Sequence, residues 1–498
     1  MAYKRVYVYW VLVILTLLNV INQWELYLPS YLSHTDIEEC QEECKGLDYQ
    51  PDCVECSEDE IESDCMKCKV CRSAHAVEEV SMRDDLCLDD TDYAVVTGIS
   101  FTLPFCLMIL VVGWAIDRFR HLVVEILVGA EILMSLSSAL QAATTSFVQL
   151  ALTRGTIGIC LAFSTPCVIT IIAEIFPRDQ RSYANGIFCL GTYMGYALAC
   201  LSVMSTLYIG WRSTVLCISI FGMIIIFALG VSVKNPEMPH VPASVHLSWE
   251  DLKKRLAKLL TTKLYYILVT ASSLREMGRF ILMISFKDFT RHQFNVQYSQ
   301  YSIFSALASS MAALISCYFG GRFGAIYSKK FPAALAIIPA IGCFGAMIPM
   351  FGAVFAPNIA MTYACVWFAF LFGECWMGPS FAILQNFLPN DTVGIATGIY
   401  MLIITALGTT AADFLNDFDN MPSQDYGFRS TMICSLSFSY IGSGLLYSYL
   451  AKLIRDSKSH TSPRPNSDDD ELVSLITCGE QSNGESKQGK ENSGRQRA

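Results

Sequence analysis

The feature that most constrains the fold of this chain is a recurring apolar stretch whose length, as a helix, matches the thickness of a bilayer core. About 20 helical residues are needed to cross that core. Such stretches make up much of the 498 residues, of which 53% are hydrophobic. We identify twelve, at 7–31, 93–116, 121–145, 147–174, 184–209, 212–233, 263–286, 299–322, 331–354, 358–386, 393–413 and 430–452. The chain is therefore predicted to be an all-α membrane protein with twelve transmembrane helices.

Positive charges indicate how these helices are oriented. Lysines and arginines concentrate on the cytosolic side of membrane proteins. Here they precede the first stretch and follow the second, fourth, sixth, eighth and twelfth, at Lys4, Arg5, Arg118, Arg120, Arg178, Arg181, Lys253, Lys254, Arg255, Lys258, Lys329, Lys330, Lys452, Arg455 and Lys458. If the helices alternate, all these positions lie on one side, so both termini are predicted to be cytosolic. The first stretch has no small-residue cleavage site and is interpreted as a signal anchor.

The chain divides into two six-helix halves, at 1–233 and 263–453. A cytosolic linker, 234–262, joins them and contains a basic amphipathic segment, 249–260, which is predicted to lie as a short helix on the inner membrane surface. Repeated halves around a central cavity are typical of secondary transporters. The sequence thus favours a transporter architecture.

The longest predicted non-cytosolic segment, 32–92, is acidic and rich in cysteine. It holds 20 Asp and Glu against 5 Lys and Arg, and its eight cysteines are Cys40, Cys44, Cys53, Cys56, Cys65, Cys68, Cys71 and Cys87. An even number of cysteines in an extracytosolic segment favours disulfides. The Cys-x-x-Cys spacings are also those of zinc sites, so zinc is the competing interpretation. We predict disulfides and no metal.

The segment after the last apolar stretch, 454–498, is polar and poor in aromatic residues, and it is predicted to be a disordered cytosolic tail. It contains the pattern acid-x-x-x-Leu-Leu/Ile, formed by Glu471, Leu475 and Ile476. This pattern is an acidic dileucine sorting signal, which a sorting adaptor would bind. The predicted location is a lysosomal or endosomal membrane, with the plasma membrane as the alternative.

A charged motif, Gly113-Trp-Ala-Ile-Asp117-Arg118-Phe-Arg120, follows the second apolar stretch. Glycine allows two helix ends to approach closely. The aspartate can pair with an arginine or cap the N-terminus of a neighbouring helix, and such contacts can form and break. The motif is interpreted as a conformational latch. A second copy follows the eighth stretch at 320–330 but lacks the acid.

Ionisable residues inside a membrane helix are costly and mark functional sites. Arg154, in the outer half of the fourth stretch, is a candidate for binding an anionic substrate, or it is tied to backbone carbonyls. Glu374, in the tenth stretch, is a candidate proton acceptor, or it is held by a neighbouring helix. The seventh stretch contains Arg275, Glu276 and Arg279, which either line a cavity or neutralise each other. Glu125 and Glu131 are interpreted as helix caps or residues at the cytosolic mouth.

Aromatic residues surround these charges. Trp376 follows Glu374 closely, and it is a candidate for the wall of an amphipathic cavity, although aromatic residues in helices more often only pack. Gly378 and Pro379 are predicted to break the tenth helix inside the membrane. The chain has no Gly-rich phosphate loop with Lys and no His-Glu-x-x-His or Gly-x-Ser-x-Gly motif. We therefore expect a protein that is not an enzyme, has no cofactor and binds no nucleic acid.

The motif at 113–120 resembles the signature Gly-x-x-x-Asp-Arg-x-Gly-Arg-Arg of the major facilitator superfamily, and Arg154 with Gly158 resembles its Arg-x-x-x-Gly signature. Within this superfamily the chain is most similar to the spinster-like lysolipid transporters, in its segments 172–182, 195–196 and 374–389. The resemblance implies the major facilitator fold and alternating access around a central cavity.

Two departures from the spinster-like pattern concern proton coupling. That branch carries Asp-Arg in the first helix, where this chain has Asn22-Gln23, and Glu in the fourth, where it has Leu161. Coupling therefore runs through Glu374 or Glu276, or transport is facilitated diffusion. The expected substrate is a small organic anion or a lysolipid-like amphiphile from the membrane. A sugar or sugar acid is the second expectation, and a non-transporting receptor that uses the 32–92 segment is the third.

Overall fold

The computed structural model describes residues 2–32, 82–86, 88–234, 249–282, 286–294, 296, 298–388, 392–419 and 425–459. All eight cysteines of the predicted disulfide set lie outside these ranges, and so does the sorting pattern around Glu471. Those two predictions are therefore not tested by the structure.

The first half consists of six long helices. They are α1 (Ala2–Tyr27), α2 (Ser100–Arg118), α3 (Val123–Gln141), α4 (Phe147–Ile175), α5 (Arg181–Thr206) and α6 (Tyr208–Ser232). A short 3-10 turn extends α1 to Tyr31. The helical trace through α5 and α6 is broken at Gly210, where φ is 76°. This left-handed backbone is open to glycine at no steric cost, so Gly210 permits the sharp change of direction.

The second half also consists of six long helices within the described residues. They are α7 (Lys263–Phe280), α8 (Ser310–Ser328), α9 (Ala334–Phe355), α10 (Ile359–Phe387), α11 (Val393–Asp419) and α12 (Asp425–Ser459). Shorter helices lie at Phe286–Phe294 and Tyr298–Phe304. In the linker, a helix at Trp249–Thr261 corresponds to the one predicted at 249–260.

Eight of the helices, over the described residues, are long and apolar enough to cross a membrane. The seventh predicted stretch, α7, is not among them because its 18 residues include four that are charged, Lys263, Arg275, Glu276 and Arg279. Large apolar side chains cover the outside of the bundle; Phe227 is 73% and Ile348 81% exposed. An apolar surface of this kind is suited to lipid rather than water. The predicted all-helical membrane fold is confirmed.

The tenth helix is irregular in the middle, as the sequence predicted. The α-helix Ile359–Gly373 gives way to a 3-10 turn at Glu374–Trp376 and resumes at Met377–Phe387. The break lies just before Pro379 rather than at it. Proline has no N–H and its ring collides with the carbonyl four residues earlier, so the preceding turn must adjust.

The halves meet along two pairs of helices. In one, α2 packs against α11; in the other, α5 packs against α8 and the second part of α10. Within the halves, α1 packs on the α5–α6 trace, α2 and α3 on α4, α7 on α11 and α12, and α9 on α10 and α12. The pairing of α2 with α11 and α5 with α8 places equivalent helices of each half opposite one another.

Candidate functional site

The first junction between the halves is a helix cap supplied by Asp117. One carboxylate oxygen accepts the N–H of Gly394 and the other accepts the N–H of Ile395, both at 2.8 Å. These are free N–H groups in the first turn of α11, where a negative charge is also stabilised by the helix dipole. We call the side of the molecule that carries Asp117 and the α2–α3 turn the basic face.

Close approach of α2 and α11 depends on glycine at the same place. A Cβ on Gly113 would lie 2.9 Å from both the Gly394 carbonyl oxygen and the Ile395 Cα. A side chain there would push the helices apart and pull Asp117 from its cap. Gly113 and Asp117 therefore act together to hold α2 against the other half.

The two arginines of the motif lie beside this junction. Arg120 forms an ion pair with Glu174 at the end of α4, so it ties the α2–α3 turn to its own half. Arg118 ends α2 with its guanidinium 6.0 Å from the centre of the Phe119 ring. Asp117 thus contacts backbone groups of α11 across the halves.

The second junction on the basic face joins α5 to α8 and α10. Gly186, Gly321 and Gly378 come together there, and a Cβ on Gly321 would lie 2.8 Å from the Ser182 carbonyl oxygen. At the edge, Lys329 pairs with Asp179 at 3.0 Å, although both side chains are exposed. The second copy of the motif, at 320–330, has no acid of its own and pairs with Asp179 of the first half. Exposed ion pairs of this kind contribute little to stability.

A polar network reinforces the second junction. Arg181, which is buried, donates to the Gln385 carbonyl at 2.8 Å and to the Ala173 carbonyl at 2.6 Å. The Asn185 amide donates to the Gln385 side chain at 2.7 Å, and Gln385 in turn donates to the Ile169 carbonyl at 2.8 Å. Buried networks of this kind are costly to leave partly satisfied. The basic face is therefore closed in this structure.

Further from the basic face, Arg275 and Glu374 form an ion pair in which both side chains are fully buried. Arg275 Nη2 donates to Glu374 Oε1 at 2.7 Å, and its Nε donates to the Gly373 carbonyl at 3.0 Å. The second carboxylate oxygen accepts the hydroxyl of Tyr193 from α5. Glu374 therefore belongs both to a pair within the second half and to a contact with the first.

Arg279 and Glu276 form a second buried pair one turn further along α7. The Arg279 Nη1 donates to the Tyr27 hydroxyl of α1 at 2.9 Å. The Tyr27 ring packs edge-on against Tyr196 of α5, with 5.2 Å between ring centres. The charges predicted on α7 thus reach tyrosines of the opposite half.

Among the described residues, the buried hydrogen-bond donors without a partner include Arg275 itself and three aromatic residues of the second half. The groups concerned are Arg275 Nη1, Trp376 Nε1 and the hydroxyls of Tyr400 and Tyr440. The Arg275 guanidinium lies 4.3 Å from the centre of the Tyr440 ring. Buried donors without partners are costly in a folded protein. This region can satisfy a ligand that brings oxygen acceptors.

Arg154 lies elsewhere, inside the first half. It is 1% exposed, donates to the Glu25 backbone carbonyl at 3.3 Å and has its guanidinium 5.3 Å from the centre of the Phe101 ring. The structure therefore brings Arg275, Glu276, Arg279, Glu374 and Trp376 into one half, and it does not place Arg154 among them.

The prediction for Glu131 was wrong. It is 1% exposed, and one carboxylate oxygen accepts the Asn22 amide at 2.9 Å. Asn22 also donates to the Ser164 hydroxyl at 2.7 Å. Glu131 therefore lies in the helical interior, between α1 and α4, and not at a mouth. Glu125 on the same helix is exposed.

Sequence reasoning missed Glu25, Tyr27 and Tyr193. Glu25 lies within the first apolar stretch and is 3% exposed. An acid inside a membrane helix was a usable signal, which its position near the end of the stretch obscured. Tyr27 and Tyr193 had no such signal, because a tyrosine in a membrane helix is common and its partner is set by tertiary packing.

Comparison with known proteins places this geometry in context. The family described as Major Facilitator Superfamily matches residues 75–412. An "MFS-type efflux pump" of Mycolicibacterium smegmatis is 20% identical over 388 residues, which are 75% of this chain and 87% of that protein.

Among solved structures, the fold is similar to a bacterial homologue of the human lysosomal transporter Spinster in its inward-facing, unoccupied conformation. The TM-score is 0.58 at 15% identity, with 92% of this chain and 99% of the other covered. The occupied inward-facing conformation of that homologue gives a TM-score of 0.52 at 16% identity, with the same coverage. At this identity the likeness concerns the fold.

Proposed function

Because the chain belongs to the major facilitator superfamily and is a membrane transporter, we propose that it carries a small organic anion or a lysolipid-like amphiphile. The observation that carries this proposal is the buried Arg275, whose Nη1 has no partner among the described residues and whose guanidinium lies against the ring of Tyr440, a residue with a hydroxyl that is also unpartnered there. Carboxylate, phosphate or sulfonate oxygens would satisfy these donors, and arginine binds such groups with two parallel hydrogen bonds.

Substrate movement follows from the contacts between the halves. On the basic face, Asp117 and the Arg181 network hold the halves together, and further in, Tyr193 and Tyr27 reach Glu374 and Arg279. Alternating access requires the contacts on one face to break while those on the other form. We propose that the basic face is cytosolic and that Asp117 is the latch that releases α11.

Protons offer a way to make the arginines available to an anion. Each arginine is neutralised by a carboxylate, Arg275 by Glu374 and Arg279 by Glu276. A substrate anion must compete with that carboxylate, and a proton on the carboxylate removes the competition. Proton-linked uptake is therefore the proposed mode, with facilitated diffusion as the alternative if the anion displaces the carboxylate unaided.

The second candidate substrate is a sugar or sugar acid, because tyrosine hydroxyls and the Trp376 N–H also suit hydroxyl-rich ligands. The proposed location is a lysosomal or endosomal membrane, through the tail pattern at Glu471, with a sorting adaptor as partner. The proposed role of the 32–92 cysteines is to form disulfides on the non-cytosolic side.

Uptake by the purified full-length chain in liposomes tests the proposal. Labelled lysophospholipid, a sugar acid and a neutral sugar are offered separately, each with and without a pH gradient. We expect saturable uptake of an anionic probe, and we expect Arg279→Gln to reduce it at least tenfold. The matched control is Arg455→Gln, an exposed arginine at the end of α12, which should retain uptake.

Three outcomes would reject the organic-anion proposal. Uptake of the neutral sugar alone would favour the second substrate. Ligand capture without flux would favour a receptor. Equal uptake by the Arg279→Gln and Arg455→Gln variants would show that the buried pair is not part of the substrate path.

A further inference from the structure

A second buried charge cluster lies inside the first half, away from the α7–α10 arginines. It contains Asn22 and Glu25 on α1, Glu131 on α3, and Arg154 on α4, all at most 4% exposed. The Glu25 carboxyl lies within electrostatic reach of Glu131 and Arg154. The proposed substrate site uses none of these groups.

The cluster is short of hydrogen-bond donors. Among the described residues, four of its oxygens have no donor: Asn22 Oδ1, Glu25 Oε1, Glu25 Oε2 and Glu131 Oε2. The Ser138 hydroxyl lies near the Glu25 carboxyl, but neither carboxyl oxygen is in hydrogen-bonding geometry with it. Buried acceptors of this kind require a proton, a water or a cation.

The cluster is also short of positive charge. Two ionised carboxylates carry two negative charges, and Arg154 supplies one positive charge. Arg154 is in addition directed to the Glu25 backbone carbonyl, and its Nε has no hydrogen-bond partner within the described part of the chain. Among these residues one negative charge therefore remains uncompensated, which is strongly unfavourable in a buried site.

We propose that the buried carboxyls of Glu25 and Glu131 together bind one proton and form a proton-binding site of the first half. A metal ion fits less well, because hard cations take about six or more oxygen ligands, and Arg154 faces the site with the same sign of charge. A proton needs no cavity. It compensates the excess charge and turns one carboxyl into a donor for a neighbouring oxygen.

The surroundings of the pair contain few other groups that titrate. On α4, Arg154, Cys160 and Cys167 interact with the two carboxyls, and Tyr93 ahead of α2 interacts with Arg154. From α6, Ser219 donates to the Ser138 hydroxyl at 2.9 Å. The helix α5 faces α1 with Gly195 and Ser202. The charge of the site thus depends on the two carboxyls and Arg154.

A stripe of polar side chains connects this site to the side of the molecule opposite the basic face. Glu131, Ser135, Ser138 and Gln141 recur every three or four residues along α3 and so share one face of it. All four are at most 3% exposed. Polar groups buried in this way give a proton a route along the interior of the first half that is separate from the substrate path.

If the chain is the proton-linked transporter proposed above, this site takes part in coupling together with the carboxylates that pair with Arg275 and Arg279, but the site can be tested without a substrate. Infrared difference spectra of the full-length protein between acidic and alkaline pH report protonated carboxyl groups through their carbonyl stretch. We expect one such band, shifted in heavy water, that is lost in both Glu25→Gln and Glu131→Gln. The matched control, Glu125→Gln on α3, should keep it.

Two results would overturn the proposal. One is a carboxyl band that is the same in wild type and in both variants. The other is a spectral change on adding sodium at alkaline pH that depends on Glu25, which would indicate a metal ion instead. Since neither result requires transport, a failure of the substrate proposal leaves this test readable. Glu25→Asp keeps a carboxyl at this position and should retain the band. It therefore distinguishes a band lost with the carboxyl from a band lost because the protein no longer folds.

Discussion

The two halves use buried charge in different ways. In the second half every described buried arginine on α7 has its own carboxylate, Glu374 for Arg275 and Glu276 for Arg279, and the groups left unpartnered are donors. In the first half the buried cluster, within the described part of the chain, holds the two carboxylates of Glu25 and Glu131 but one arginine, Arg154, and most of its unpartnered groups are acceptors. This difference is the basis for proposing an anion site in the second half and a proton site in the first.

The largest expected effect comes from breaking a one-to-one pair. Arg275→Met leaves Glu374 buried without a counter-charge, which should lower the free energy of unfolding by about 3–5 kcal/mol. Adding Glu374→Gln should restore much of this loss. Thermal unfolding in detergent measures both variants. Equal loss in the single and double variants would show that the pair is not the source of the effect.

A smaller effect is expected for the unpaired arginine of the first half. Arg154→Met removes one 3.3 Å hydrogen bond and a contact with the Phe101 ring. Because the carboxyls can take up another proton, the expected loss is about 1–2 kcal/mol. If the same unfolding experiment gave a loss as large as that of Arg275→Met, the contrast between the halves would be wrong.

The latch on the basic face is expected to contribute about 1 kcal/mol locally. Asp117→Asn keeps one acceptor but loses the charge that caps α11, so the amides of Gly394 and Ile395 should exchange with deuterium about fivefold faster. The control is Asp179→Asn, which removes the charge from the exposed pair with Lys329. It should change the deuterium exchange of the same two amides much less. Similar effects of the two substitutions would show that the Asp117 cap holds α11 no more firmly than the exposed pair does.

The smallest effect is expected for Glu25→Gln. If Glu25 carries the proton of the cluster, its side chain is neutral and has nearly the same shape as glutamine. The substitution should therefore change the free energy of unfolding by less than about 1 kcal/mol. The free energy of unfolding is measured at acidic and at alkaline pH. At alkaline pH it should fall less in the variant than in the wild-type protein. A loss near that of Arg275→Met would mean that Glu25 is an ionised partner of Arg154.

The sequence was sufficient for the helical framework and for single residues with a strong local signal. Apolar stretches of fixed length predicted the membrane helices. For Asp117 the motif left two alternatives, pairing with an arginine or capping a neighbouring helix, and the structure shows the cap on α11. Pro379 predicted the irregular turn of α10. Each of these depends on short-range chemistry that the sequence displays.

Partners between distant helices could not be predicted. The position of Glu374 in the tenth stretch was evident, but its contact with Tyr193 depends on how α5 and α10 cross. Arg154 and the α7 arginines looked equivalent in sequence, yet Arg275 and Arg279 each pair with a carboxylate whereas Arg154 donates to a backbone carbonyl. Glu131 looked like a mouth residue because the third stretch gave no sign that Asn22 faces it.

The measurement that tests the division of roles most directly is uptake of a labelled anionic probe by the full-length chain in liposomes, with an inward or no pH gradient, in wild type, Arg279→Gln and Glu25→Gln. The account predicts that Arg279→Gln loses saturable uptake under both conditions, whereas Glu25→Gln loses the additional uptake that the gradient drives. Two results would contradict this prediction: wild-type uptake that does not depend on the pH gradient, or the same loss of uptake in both variants.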